Sequence, residues 1–148
     1  MIGEIAIYDE PEQWPEIWSV LKDSITPSPT ECDELITDTN EPLKYVAGII
    51  YKRYPYLTID HTILDKSIVT RSFITTVLDY CFTKKEVIRS FVKSSNKKSI
   101  KFLTQLGFVR EGAYRKYFSD GSDFVIFGLT KYEWAVNKHR RKELRKND

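Results

Sequence analysis

Cysteine is scarce: Cys32 and Cys81 stand alone among 148 residues, without a CxxC pair or a neighbouring histidine cluster, so neither a disulfide framework nor a metal site is expected. No stretch approaches the ~18 consecutive apolar residues of a membrane span, and the opening MIGEIAIYDE lacks a basic segment followed by an apolar run. These absences predict a chain with no membrane contact, held in a reducing, cytoplasmic setting. An excess of charge of one sign is missing too, since 23 Lys and Arg face 21 Asp and Glu for a formal +2. That balance argues against a nucleic-acid partner. It does so even though Tyr51, Lys52, Arg53, Tyr54, Tyr56 and the tail KHRRKELRK are of the types that stack on bases and meet phosphates.

What is present suits one core: 41% hydrophobic and 14% aromatic residues in a length typical of a single domain, read as residues 1–137 with a basic tail over 138–148. Residues 2–8 predict a strand. Asp9 and Glu12 then form a D-x-x-E box ahead of Trp14, Ile17, Trp18, Leu21 and Ile25, whose spacing is one helical face. Thr26 to Pro42, rich in Pro, Ser, Thr and acid, reads as a loop with a short helix near Cys32 to Ile36. Residues 44–54 and 56–64, β-branched and aromatic with Pro55 between them, predict an antiparallel pair.

Apolar periodicity from Ser67 to Phe82 predicts a helix with Asp65 at its N-cap, and residues 86–94 predict a strand. Asn96 is the N-cap and Gly107 the C′ residue of the next helix. Residues 108–118 and 123–134 read as strands joined through a turn at Asp120-Gly121, and 138–146 as the end of a last helix. The order implies a mixed α/β arrangement around one sheet.

Asn96, Ser99, Leu106, Gly107, Phe108, Glu111, Gly112 and Arg115 stand in a register N-x-x-S, L-G-F, E-G-x-x-R. It resembles the C-terminal signature of the GNAT superfamily of N-acetyltransferases, nearest to the branch that acetylates protein N-termini, and the likeness runs over roughly residues 68–134. The resemblance implies a single domain with a mostly antiparallel central sheet and helices on both faces. It also implies acetyl-CoA held in a wedge between the fourth and fifth strands, and a primary amine as acceptor. Carried over by position, the cofactor would meet Ile63, Lys66, Ser67, Ile68, Val69, Thr70 and Asn96.

Here the chain also departs from the family. The phosphate loop Q/R-x-x-G-x-G/A reads LDKSIVTRSF, with Asp65 and Ser67 where the glycines belong, and Leu103 replaces a helix tyrosine that many relatives use as an acid. Residues 43–64 leave room for two strands where the family fits three, which predicts a sheet trimmed on the acceptor side. His61 is the candidate general base, since an imidazole titrates near neutrality, with Asp60 and Glu111 as alternatives. The acids from Glu31 to Glu41 would favour a cationic, amine-bearing acceptor. The other reading is a GNAT-like domain without catalysis, a binding or assembly subunit for a protein partner or a second copy, of the kind found among bacteriophage proteins and virions.

Overall fold

The structure is a computed structural model that describes residues 4–19 and 32–146. Leu21, Ile25 and Glu31 lie outside the described residues. Seven strands form one sheet: β1 (Ile5–Tyr8), β2 (Glu34–Asp38), β3 (Tyr45–Ile50), β4 (Leu57–Ile63), β5 (Val87–Lys93), β6 (Val109–Tyr114) and β7 (Phe124–Thr130). Their spatial order is β1-β2-β3-β4-β5-β7-β6, and every pair is antiparallel except β4 with β5.

Two helices cover one face. They are α2 (Arg71–Phe82), which buries Phe73, Ile74, Val77, Leu78, Cys81 and Phe82 at the helical period, and α3 (Lys97–Gln105), which buries Leu103. With Ile36, Tyr45, Ile59, Ile88 and Leu129 they build the main core. On the opposite face the short α1 (Trp14–Trp18) sets Trp14 and Ile17 against Leu35 and Val46 in a smaller cluster. A single α/β domain with a mostly antiparallel sheet and helices on both faces is therefore what the chain forms.

Several local readings change. The box before α1 sits one residue later than Asp9 and Glu12: Gln13 Oε1 accepts from the backbone N–H of Glu10 at 3.3 Å, and Pro11 begins the turn, where a missing N–H costs nothing. Residues 34–38 form not a loop or helix but β2, buried on both faces. Its charges hid it, because Glu34 and Asp38 are buried with their acceptors filled. Tyr51 and Tyr80 hydroxyls donate to Glu34, while the N–H groups of Lys44 and Tyr45 donate to Asp38 Oδ1 at 2.9 and 3.0 Å. This strand supplies what residues 43–64 appeared to lack, so the sheet is not trimmed.

The stretch after β4 is not one helix. Asp65 caps only a single 3₁₀ turn (Lys66–Ile68), and α2 has its own N-cap in Thr70, whose hydroxyl accepts from Phe73 N–H at 3.1 Å. Strand β7 ends at Thr130, because Thr130 and Glu133 close a reciprocal capping box that starts α4 (Lys131–Ala135). The basic segment is a separate helix, α5 (Lys138–Lys146), laid along α2: Glu143 accepts from the Ser72 hydroxyl at 2.6 Å, and Asp79 receives Arg140 Nε at 2.9 Å and Trp134 Nε1 at 2.7 Å.

Candidate active site

Strands β4 and β5 are each seven residues long, yet only Leu57–Ile88 and Thr58–Arg89 pair. A last link runs from the Ser90 hydroxyl to the Ile59 carbonyl at 3.3 Å, and beyond it the two strands part. Because they are parallel, their C-terminal ends lie on one edge of the sheet, which brings the segment 63–70 and the start of α3 at Asn96 to the mouth of the opening. Beside it, between α2 and α3, runs a groove of about 240 Å³ lined by Thr70, Arg71, Ile74, Phe102, Gln105 and His139, among others.

Strand β4 presents two titratable groups to this opening, one on each face. His61 points to the α2/α3 side, its ring edge-on to Phe102 at 6.1 Å and its Nδ1 bonded to the Tyr45 hydroxyl. Burial lowers its pKa to about 4 and raises that of Tyr45 well above the phenol range. Both groups are then neutral, and with the phenol donating to Nδ1 the imidazole carries its proton on Nε2. That nitrogen is enclosed and has no partner among the described residues. Asp60, one residue earlier, projects to the other face by strand alternation, and burial lifts its carboxyl to about 6.

The segment from Asp65 to Thr70, expected from the resemblance to meet phosphate, is closed on itself. The N–H of Ser67 donates to Asp65 Oδ1 at 2.9 Å, and those of Ile68, Val69 and Thr70 donate to the carbonyls of Asp65, Lys66 and Ile68. Hydrogen bonds from Ser67, with Lys44 nearby, hold the Asp65 carboxyl below its ordinary pKa. The Lys44 ammonium also donates to the Ser67 hydroxyl at 3.2 Å. Ile63 ends β4 partly exposed, Lys66 is exposed, and Asn96 uses its Oδ1 to cap Ser99 N–H at 3.2 Å. Arg71, at the first position of α2, has its Nε buried and without a partner among the described residues.

Sequence reasoning did not find Phe102, Gln105 and His139 as groove residues. The last comes from α5 and reaches Gln105 O through Nε2 at 3.1 Å, a contact across 34 positions that no local pattern announces. Conversely, three of the acids expected to recruit an acceptor, Asp33, Glu34 and Asp38, are engaged within the fold, while Glu41 is exposed. Asp33 accepts from the N–H groups of Tyr51 and Lys52, and Glu34 and Asp38 are buried in β2.

Most residues of the C-terminal signature shape backbone. Asn96 caps α3, Gly107 takes φ 98° after it, and Leu106 and Phe108 are buried. Glu111 lies across Gly128 and pairs with Arg89 at 2.8 Å.

No family model and no curated protein matches this sequence. Solved structures do match. A spermidine N-acetyltransferase SpeG chimera from Vibrio cholerae and hSSAT superposes with TM-score 0.67 at 18% identity, over 89% of this chain and 98% of that one. A putative acetyltransferase from Acinetobacter baylyi gives 0.62 at 18%, over 86% and 92%. RimJ of Mycobacterium smegmatis, in complex with CoA-disulfide, gives 0.58 at 20%, over 91% and 69%. The chain has the fold of the GNAT acetyltransferases.

Proposed function

We propose that this protein is an acetyl-CoA-dependent N-acetyltransferase acting on a primary amine. The reading is carried by the parting of β4 and β5, with His61 Nε2 on β4 and Arg71 Nε at the neighbouring groove, two buried nitrogens without partners among the described residues that hold unused hydrogen-bonding capacity. Such donors are costly unless a ligand meets them, and the fit to a CoA thioester with its phosphates rests on them. Arg71 and Lys66, with Asn96 and the side chains from Ile63 to Thr70, would hold the cofactor. Phosphate charge would fall on side chains, because the amides of Ser67 to Thr70 are spent within their own loop.

When bound, acetyl-CoA supplies a thioester carbonyl open to attack by an amine. On the acceptor face the Asp60 carboxylate, ionising at about 6, takes a proton from the incoming ammonium and leaves the free amine. His61, with its pKa near 4, stays neutral at physiological pH. Its role is then donation from Nε2–H to an oxygen in the opening, where a fixed donor stabilises developing negative charge. The base is then Asp60, one of the alternatives that the sequence reading set beside His61, and His61 takes a different part.

A second reading, a GNAT-fold protein without catalysis that serves as a binding or assembly subunit, is favoured by one observation: the Asp65 carboxylate and the self-bonded loop stand where phosphate would lie. Calorimetric titration with acetyl-CoA separates the two. Saturable binding with Arg71→Ala weakening it at least tenfold supports the enzyme, and no heat at millimolar cofactor leaves the second reading. Asp65→Gly with Ser67→Gly should tighten binding if only the loop limits it.

A further inference from the structure

We propose that the outer faces of α3 and α5 form a docking surface for the phosphate backbone of a nucleic acid. The near-neutral total conceals a segregation of charge along the chain: residues 1–41 hold eleven carboxylates and one lysine, whereas residues 91–148 hold fourteen Lys and Arg against six Asp and Glu. The fold converts much of that bias into a surface. On α3, Lys97, Lys98 and Lys101 are exposed and the helix carries no acid. On α5, Lys138, Arg141, Lys142 and Arg145 are exposed, at i, i+3, i+4 and i+7, one stripe of a helix.

None of these seven cations takes part in an ion pair among the described residues. Acid that would neutralise the stripe is turned inward, as Glu143 is 1% exposed and accepts from Ser72 on α2. The two helices meet end to end: His139 Nε2 lies 3.1 Å from Gln105 O, and Asn137 Nδ2 donates to Leu106 O at 2.8 Å. Lys101 lies one turn before Gln105, and Lys142 is one turn past His139, so the cations form a single band across the junction.

Chemistry selects the partner. Each nine-residue helix spans about 13 Å, the length of about four nucleotide steps of ~3.4 Å. Its exposed aliphatic side chain, Leu144 on α5, stands among cations and does not make the apolar centre that anchors protein interfaces. The side of α5 away from solvent is taken by α2, which leaves no apolar face to enter a lipid surface. A repeating polyanion read through its charge remains.

The test is fluorescence anisotropy of the full chain with a labelled 20-nucleotide single strand and the matching duplex, at several salt concentrations. Binding in the ~10⁻⁶–10⁻⁴ M range that weakens steeply with salt is expected. Lys97→Glu with Lys101→Glu, and separately Lys138→Glu with Lys142→Glu, should each reduce affinity at least tenfold at low salt. Circular dichroism melts of these variants should be unchanged, since the side chains are exposed. Four results would overturn the proposal: no binding at low salt; binding abolished instead by Lys52→Glu with Arg53→Glu; displacement of the oligonucleotide by millimolar CoA; or preference for phosphatidylserine vesicles over both nucleic acids.

Discussion

Asp60 and His61 are adjacent in β4, yet the strand's pleat sends the carboxyl to one face of the sheet and the imidazole to the other, where Tyr45 holds its Nδ1. Burial acts on both, raising the acid to about 6 and lowering the base to about 4, so their usual order is inverted. The group poised to gain a proton near neutrality is therefore the aspartate.

Asp60→Asn should lower kcat/KM for an amine acceptor by ~10²–10³ and remove the acid limb of the pH–rate profile centred near 6. The same variant should be more thermostable at pH 7.5 than the parent. A carboxyl whose folded pKa is raised favours the folded state when protonated, so its cost grows from pH ~4 to ~6 and then stays. A gain in Tm that was equal at pH 4 and pH 7.5 would contradict this assignment.

For His61 the sign is opposite. The unfolded chain binds its proton below ~6.5, while the folded chain resists it down to about 4, so stability falls as pH drops through that interval and is complete above it. An NMR titration should show the His61 ring neutral at pH 5.5. Tyr45→Phe, which leaves Nδ1 without its donor, should cost about 1–2 kcal/mol in urea unfolding.

Glu34 ties β2 to α2 through the hydroxyls of Tyr51 and Tyr80, with Lys84 Nζ at 3.7 Å. Glu34→Ala strands two hydroxyls and should cost ~2–4 kcal/mol. Glu34→Gln keeps an acceptor and should cost clearly less. Equal losses in chemical denaturation would mean that charge, not hydrogen bonding, holds the strand.

Gly107→Ala should destabilise by ~1–2 kcal/mol, for φ is 98° there and an added Cβ would lie 2.7 Å from Asn137 Nδ2. Removing the amide with Asn137→Ala relieves only the contact, so the double variant should recover part of the loss and no more.

The elements that could be read from the sequence are those whose cause is local. The period of α2, the cap at Asn96, the turn residue at Gly121 with φ 86° and the β3–β4 pair are set by neighbours a few positions apart. Strand β2 was not legible because Glu34 and Asp38 look solvated until the hydroxyls and amides that satisfy them arrive from Tyr51, Tyr80 and Tyr45. The cap of α2 was misread because Asp65 and Thr70 are both good caps, and only the 3₁₀ turn between them assigns the helix to Thr70.

By itself the sequence determined a single α/β domain with a GNAT-like fold, the two ends of α3 at Asn96 and Gly107, and one dense basic segment, since propensity, capping and composition act over short distances. Tertiary structure decided the rest. It set which face Asp60 and His61 occupy, closed the segment from Asp65 to Thr70 on its own amides, and turned Glu143 inward, away from the exposed cations of α5. Each of these depends on what an element packs against, and burial changes the free energy of a charge by more than any local preference does.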